Sequence, residues 1–318
     1  MKKCTAIILA LCLMLLGCAA FAEEGTAIAG HKIGFIQLTL NSNYHATMSD
    51  HFEELCQNAG VDVVMTNGEW KTDEQLQLCE DLIAQGCEAI ILNPVGDEVV
   101  PIILSRCQEA GIPLICVDNT SPGEGYTYVG IDNFEICRGI GQYIGANYDG
   151  GNIVYIRSTA DDTGCPPYRI GGIIAGLSEE GELSRFNIID ERYALEDVNA
   201  AEGMARMEEM LAANEQIDIV ICHRDGLALG ALTAITNAGR TDVKCITGFD
   251  GELAFMESIQ NSEGPELVTG MNSPVMIADM TFELLNNYFA GEDLPESYYT
   301  PVVTLTKDNV ADYMEHGF

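Results

Sequence analysis

Residues 222–232, CHRDGLALGAL, set an imidazole, a guanidinium and a carboxylate side by side. His223, Arg224 and Asp225 stand between the apolar run IDIVI (217–221) and an Ala/Leu stretch with helical spacing. Phosphoryl transfer on a His-Arg-Asp loop needs an Asn five residues beyond the Asp to hold a metal ion, and here that position is Gly230. No D-F-G segment and no glycine-rich phosphate loop on a first strand accompany it, so the tripeptide is not a phosphotransfer loop. Its place directly after a strand-like run suits ligand contact instead. His223 and Arg224 are expected to face a cleft, with Asp225 capping or aligning the helix behind them.

Other catalytic and cofactor signatures fail on spacing. GIGQYIG (139–145) has one residue too many before its third glycine to be a dinucleotide fingerprint, and it follows the polar turn IDNFE rather than a strand end. Close helix packing explains these glycines better. His45 and His51 lie six apart, off a common helical face, and neither an H-E-x-x-H nor an EF-hand pattern nor a metal-binding Cys/His spacing occurs. There is no G-x-S-x-G nucleophile elbow. The chain is therefore expected to be a binding protein, not an enzyme, with no cofactor and no metal.

Charge narrows the partners. Across 318 residues, 15 basic side chains face 49 acidic ones, a net of −34. The first residues, MKKCTAIILALCLMLLGCAAFAEE, read as an export signal: a basic start, an apolar stretch from Thr5 to Leu16, then small residues. Removing that leader takes Lys2 and Lys3 with it and leaves −36. Such a field repels nucleic acid and anionic lipid. Two processing routes are open. Leu15-Leu16-Gly17-Cys18 has the form of a lipobox, which would remove 1–17 and lipidate Cys18, and Ala20-Phe21-Ala22 is a small-x-small site that would remove 1–22. Both put the mature protein outside the cytoplasmic membrane, with membrane contact only through a lipid. The nine remaining cysteines are odd in number, hold no C-x-x-C pair, and mostly occupy positions an Ala or Val would fill, as in LQLCEDLI and PLICVD. They read as small buried hydrophobes, with scattered disulfides the competing reading.

The elements that must position any site alternate regularly. HKIGFIQLT (31–39), VDVVMTN (61–67), CEAIILNP (87–94) and IPLICVDN (112–119) are strand-like, and helical spacing fills the gaps between them. After 126–148 the cycle restarts with GGNIVYIRS, RFNIIDERY, IDIVICH and VKCITGFD, and the chain closes with a strand, a helix and a last strand in PVVTLTKDN. Buried β-branched strands with helices between them imply parallel sheets covered on both faces, arranged as two similar α/β lobes. In such sheets ligands sit beyond the carboxyl ends of the strands. That rule selects the segments 40–45, 66–70, 118–121, 159–164, 223–225, 248–251 and 271–274. On them, Tyr44 and Trp70 can stack on the apolar face of a sugar, and Asp118, Asn119, Arg169, Arg224, Asp250 and Asn272 can hydrogen-bond hydroxyls. Asp250, like Asp225, could alternatively serve as a helix cap.

Six stretches, DLIAQGCEAIILNP (81–94), AGIPLICVDN (110–119), VGIDNF (129–134), DGLALGALTAITNAG (225–239), VKCITGFDG (243–251) and TPVVTLTKDN (300–309), resemble in order the landmarks of bacterial periplasmic binding proteins of the ribose/galactose type, the solute receptors of sugar ABC importers. The resemblance implies the type I fold: two similar doubly wound parallel-sheet lobes joined by three crossover strands. The N-terminal lobe would comprise 31–131 plus 273–300 and the C-terminal lobe 132–272 plus 301–318, hinged near 131–133, 271–274 and 299–302. It implies a monomer that captures a monosaccharide, polyol or sugar acid and delivers it to an ABC permease. The alternative is a ligand-presenting subunit for a chemoreceptor or sensor kinase. Matching positions assign Tyr44 to the ring-packing aromatic, Asp118, Arg169 and Asp250 to hydroxyl contacts, and Asn272 to an amide of the last crossover. Departures stand at Ser42, His45, Asn119 and Val198, and above all at Arg224, where the family carries Asn. A longer, donor-only side chain there implies acceptors on the ligand and argues against ribose.

Overall fold

The chain builds its first sheet from alternating short strands and amphipathic helices: β1 (Lys32–Gln37), α1 (Asn43–Ala59), β2 (Asp62–Asn67), α2 (Thr72–Ala84), β3 (Ala89–Leu92), α3 (Val100–Ala110), β4 (Leu114–Val117) and β5 (Thr127–Gly130). It then crosses to a second set: α4 (Asn133–Asn147), β6 (Gly151–Arg157), α5 (Pro166–Glu179), β7 (Phe186–Tyr193), α6 (Ala200–Ala213), β8 (Ile219–Cys222), α7 (Asp225–Ala238), β9 (Cys245–Asp250), α8 (Leu253–Asn261) and β10 (Glu266–Met271). It returns through α9 (Pro274–Phe289) and β11 (Ser297–Tyr299), and ends with β12 (Thr304–Leu305) in the second sheet. The structure is a computed structural model that describes residues 26–120, 122–159, 165–179, 183–195 and 198–318. The export signal with Cys18, and positions 160–164 of the strand-end loop 159–164, lie outside the described residues.

Both sheets have six strands and the same plan. The orders are β11-β5-β4-β3-β1-β2 and β12-β10-β9-β8-β6-β7, with every pairing parallel except β10 with β12. In each, the chain steps outward and then back across its starting strand, so a crevice opens at the carboxyl ends between β1 and β3 and between β6 and β8. The central strands β3, β4 and β8 are buried along their whole length, as parallel strands covered on both faces must be. Each sheet carries an apolar cluster on each face.

All nine cysteines of the described residues are free thiols, and eight are buried in these cores. Burial pushes the Cys56, Cys137 and Cys245 thiols up to about 12, which keeps them protonated and unreactive. They act as small apolar side chains.

Two features differ from the sequence reading. Helix α8 was not anticipated: LAFMESIQN is only nine residues long, although its Phe255, Met256 and Ile259 share one buried face. The single closing strand is two short ones, β11 parallel to β5 and β12 antiparallel to β10, with Pro301 between them withdrawing an N–H from any continuous ladder. Of the glycines of GIGQYIG, Gly141 does serve helix contact, as expected. A Cβ at Gly141 of α4 would collide with the Ile173 carbonyl oxygen of α5, and Gly172 and Gly176 of α5 meet the Phe134 and Arg138 carbonyls in the same way. Gly141→Ala should therefore lower unfolding stability by about 1–3 kcal/mol despite the better helix propensity of Ala. Gly139→Ala, whose Cβ meets only the movable Thr304 hydroxyl, should cost less. Urea unfolding of both variants checks this order.

Candidate functional site

The carboxyl ends of the two sheets share one cavity of about 100 Å³, and its lining brings together all ten residues singled out from the sequence: Ser42, Tyr44, His45, Trp70, Asp118, Asn119, Arg169, Arg224, Asp250 and Asn272. Leu38, Ile131, Asn133 and Cys165 complete the wall. A larger groove, about 410 Å³, runs along Pro113–Leu114, Gly123–Thr127 and Leu294–Glu296. It lies at the amino ends of β4, β5 and β11, the edge that open parallel sheets do not use for ligands.

The first-sheet half is built around Asp118. This residue follows β4 with φ 58°, a left-handed conformation that costs a side chain with a Cβ and is held here by surrounding bonds. Its carboxylate accepts from the Tyr44 hydroxyl at 3.0 Å and from Asn93 Nδ2 at 3.2 Å, and His45 Nε2 stands 3.6 Å away. Burial alone would raise this carboxyl, but the hydrogen bonds and charge of His45, with those of Asn93 and Tyr44, hold it below its ordinary value. Under it lies a buried amide layer. Gln37 accepts from Asn93 and donates to Ser49 and the His45 carbonyl, and Gln75 donates to the Asn93 carbonyl. Ser42, at the N-cap of α1, brings Tyr44 and His45 into the first turn of that helix, at the carboxyl end of β1.

The second-sheet half is built around Arg169 and Asp250. Arg169 is only 4% exposed, and its guanidinium lies 3.6 Å from the centre of the Phe249 ring. Its Nε donates to Asn133 Oδ1 and its Nη1 to the His223 carbonyl, both at 2.9 Å, while Nη2 stands 3.6 Å from Asp250 Oδ1. Asp250 closes β9 with φ 115° and accepts from Asn272 Nδ2 at 3.2 Å. Arg224 Nη1 reaches to 3.9 Å from the other Asp250 oxygen, with 44% of its side chain still exposed. The halves meet at Tyr44, whose hydroxyl lies 2.9 Å from Asn272 Oδ1 as well as 3.0 Å from Asp118. Burial, then the charges of Asp118 and Asp250, push the Tyr44 hydroxyl well above its ordinary value, so it remains a donor.

The His-Arg-Asp tripeptide divides three ways, and two of its expected roles are corrected. Arg224 lines the cavity. His223 is not among the cavity residues: it is 2% exposed, and its carbonyl accepts from Arg169. Asp225 does not cap its own helix. Its carboxylate turns to the loop before α8, accepting from the Gly251 and Glu252 N–H groups at 2.7 and 2.8 Å and from the Thr269 hydroxyl at 2.6 Å. Gly248 makes this possible, since a Cβ there would collide with the Asp225 carboxylate. Asp250 is not a cap either, as Glu252 takes the N-cap of α8. Val198 packs against the second-sheet core and is not among the cavity residues.

Sequence reasoning missed Asn133, Gln37 and Asn93. A signal existed for the latter two, since each is the polar residue that ends an apolar strand run, GFIQ and IILN. Asn133 lay hidden in IDNFE, where Asp132, the actual N-cap of α4, drew attention away from it.

Burial first, then the positive charges of Arg169, Arg224 and Arg157, depress the His223 pKa strongly, so the folded protein keeps this imidazole neutral. The unfolded chain binds that proton below about 6.5, so stability present above that pH is lost as pH falls, by about 1.4 kcal/mol per unit. His223→Asn should make the decline between pH 7 and pH 5.5 shallower in urea unfolding; an unchanged slope would contradict the buried neutral imidazole.

Comparison with known proteins agrees with this architecture. A model of the periplasmic binding protein domain matches residues 33–293. The ribose import binding protein of Bacillus subtilis is 25% identical over 315 residues, 95% of this chain and 98% of that protein. An ABC transporter solute-binding protein from Mycobacterium smegmatis, crystallised with glycerol, superposes with a TM-score of 0.73 at 26% identity, covering 89% of this chain and 96% of that one. A periplasmic ribose ABC transporter protein from Conexibacter woesei superposes with a TM-score of 0.78 over 92% and 97% of the two chains, and at 19% identity it shows the shared fold. With a matched domain spanning nearly both sheets, this chain belongs to the periplasmic binding protein family.

Proposed function

We propose that this protein is an extracytoplasmic solute receptor that captures a monosaccharide, or a related polyol or sugar acid, and delivers it to the permease of an ABC importer. One observation carries the reading: side chains from the strand ends of two separate sheets converge on one cavity and are joined through Tyr44 and Asn272. A ligand touching both halves favours the state in which they are close, by its differential affinity for that state. The chain crosses between sheets three times, after β5, after β10 and between β11 and β12, and segments 131–133, 271–274 and 299–302 are the hinge in this reading. The family consists of solute-binding proteins, and the ribose importer's receptor in Bacillus subtilis supports a sugar as cargo. The lining fits such cargo, with carboxylates and amides for hydroxyls and aromatic rings for carbon faces.

The basic, apolar, small-residue start of the chain supports export, followed either by lipidation at Cys18 or by release before Glu23. Among the described residues no helix is long and apolar enough to cross a membrane.

Isothermal calorimetry against a panel of sugars, polyols and sugar acids tests the function. Saturable binding of at least one is expected, and a panel without a single binder would refute the reading. Arg224→Asn should alter the ranking of ligands, weakening the best wild-type ligand about tenfold through loss of a charged donor. It should leave thermal unfolding almost unchanged, because Asp250 keeps Arg169 and Asn272.

A further inference from the structure

Residues 309–318 lie across the join between the two lobes and take no part in the site described above. After β12 the chain forms a 3₁₀ segment, Val310–His316, whose Val310 is buried in an apolar cluster of the second sheet and whose Tyr313 and Met314 pack against the same cluster. The strap then runs along α8. The Phe318 carbonyl accepts from the Leu253 N–H at 3.0 Å. A Cβ at Gly317 would stand 3.0 Å from Met256 Sδ and 3.3 Å from Leu253 Cδ1, so glycine lets the backbone lie close on that helix. The His316 carbonyl accepts from Ser273 Oγ at 2.7 Å, and Ser273, in the crossing segment 271–274, is the N-cap of α9, its Oγ accepting from the Met276 N–H at 3.1 Å. The backbone of 316–318 is thus fixed to the second lobe and to the crossing.

The Phe318 ring leaves this surface for the first lobe. It meets Tyr44 edge-on, the ring centres 5.2 Å apart at 83°, and Tyr44 rides on α1 against the first-sheet core. Phe318 is half-buried and is not among the cavity residues, so it reaches a ligand only through Tyr44. We infer that Phe318 is a positioning residue of the site: its edge holds the Tyr44 ring so that the hydroxyl stays between Asp118 and Asn272, and the contact favours the arrangement in which the lobes are close. The hydroxyl lies 3.0 Å from one acceptor and 2.9 Å from the other, and a tilt of the ring lengthens at least one of these bonds. A rotation about 271–274 that parts the lobes carries Tyr44 away from a strap fixed to the second lobe, so the ring contact belongs to the closed arrangement. No ligand atom enters it, and its contribution is the same for every ligand. The inference rests on the binding function proposed above and adds to it a regulation of the same site, in which a contact outside the cavity sets the closed population on which affinity depends.

Two measurements on the full chain test this, one with ligand and one without. Calorimetry compares wild type with Phe318→Ala, Phe318→Leu and Phe318→Tyr, with ribose, glucose and myo-inositol as first probes and the rest of the panel after them. Phe318→Ala should weaken every binder by the same factor, about two- to tenfold, the scale of one aromatic pair, and leave their order unchanged. Phe318→Leu, which keeps apolar bulk and loses the ring edge, should fall between, and Phe318→Tyr, which keeps the edge, should restore wild-type affinity. A side chain that only stabilised the fold would lower the melting temperature without this shared loss of affinity. In the ligand-free protein, small-angle X-ray scattering should give Phe318→Ala a larger radius of gyration than wild type. Wild-type affinity or a wild-type radius in Phe318→Ala overturns the inference while the binding function stands, and so does a changed order of ligands, which would put the ring in contact with them. If no probe binds the wild-type protein, the receptor function falls and the scattering comparison alone decides the role of Phe318.

Discussion

The hydroxyl of Tyr44 is the point on which the two halves of this molecule are joined chemically. It has two acceptors within hydrogen-bond distance, Asp118 from the first sheet and Asn272 from the crossing after the second, and Asn272 passes the contact on to Asp250. A single proton serves two acceptors, so one lone pair in this set always lacks it. A ligand hydroxyl can supply the missing donor. The polar relay from Asp118 to Asp250 is thus complete only when a further donor lies beside it.

The relay is possible because both sheets repeat the same strand order, which puts β4 and β9 at the same rank and ends each at an aspartate in left-handed conformation. Each strained turn aims a carboxylate out of the strand line toward the shared crevice, and packed strands on both sides keep it from relaxing. The second aspartate is buried against Arg169, which is itself fixed by Phe249, Asn133 and the His223 carbonyl. Breaking a buried pair of this kind by removing one partner typically costs about 3–5 kcal/mol, so these side chains support the second lobe as well as its site. Arg224 differs. It lines the cavity with 44% of its side chain exposed and stands 3.9 Å from Asp250.

Much of this was legible in the sequence, and the reasons are local. Parallel strands buried on both faces must be short apolar runs, so AIIL, LICV and IVIC announced themselves, and the carboxyl-end rule then pointed at the residues after them. Asp118, Arg224 and Asp250 were found in that way. What escaped depends on orientation in three dimensions. Nothing in CHRDG says that the His223 carbonyl accepts from Arg169, or that Asp225 reaches across to Gly251 and Glu252 where Gly248 leaves room on the neighbouring strand. The amide layer of Gln37, Gln75 and Asn93 was missed for the same reason: each residue is unremarkable alone, and only the assembled sheet makes them a floor.

The most direct test of this account is a crystal structure of the protein with the first sugar or polyol that calorimetry identifies. The account requires density for the ligand between the two sheets, with hydroxyls hydrogen-bonded to Asp118 on one side and to Asp250 or Arg169 on the other. Ligand bound to one half alone, or in the groove between Pro113 and Glu296, would contradict it.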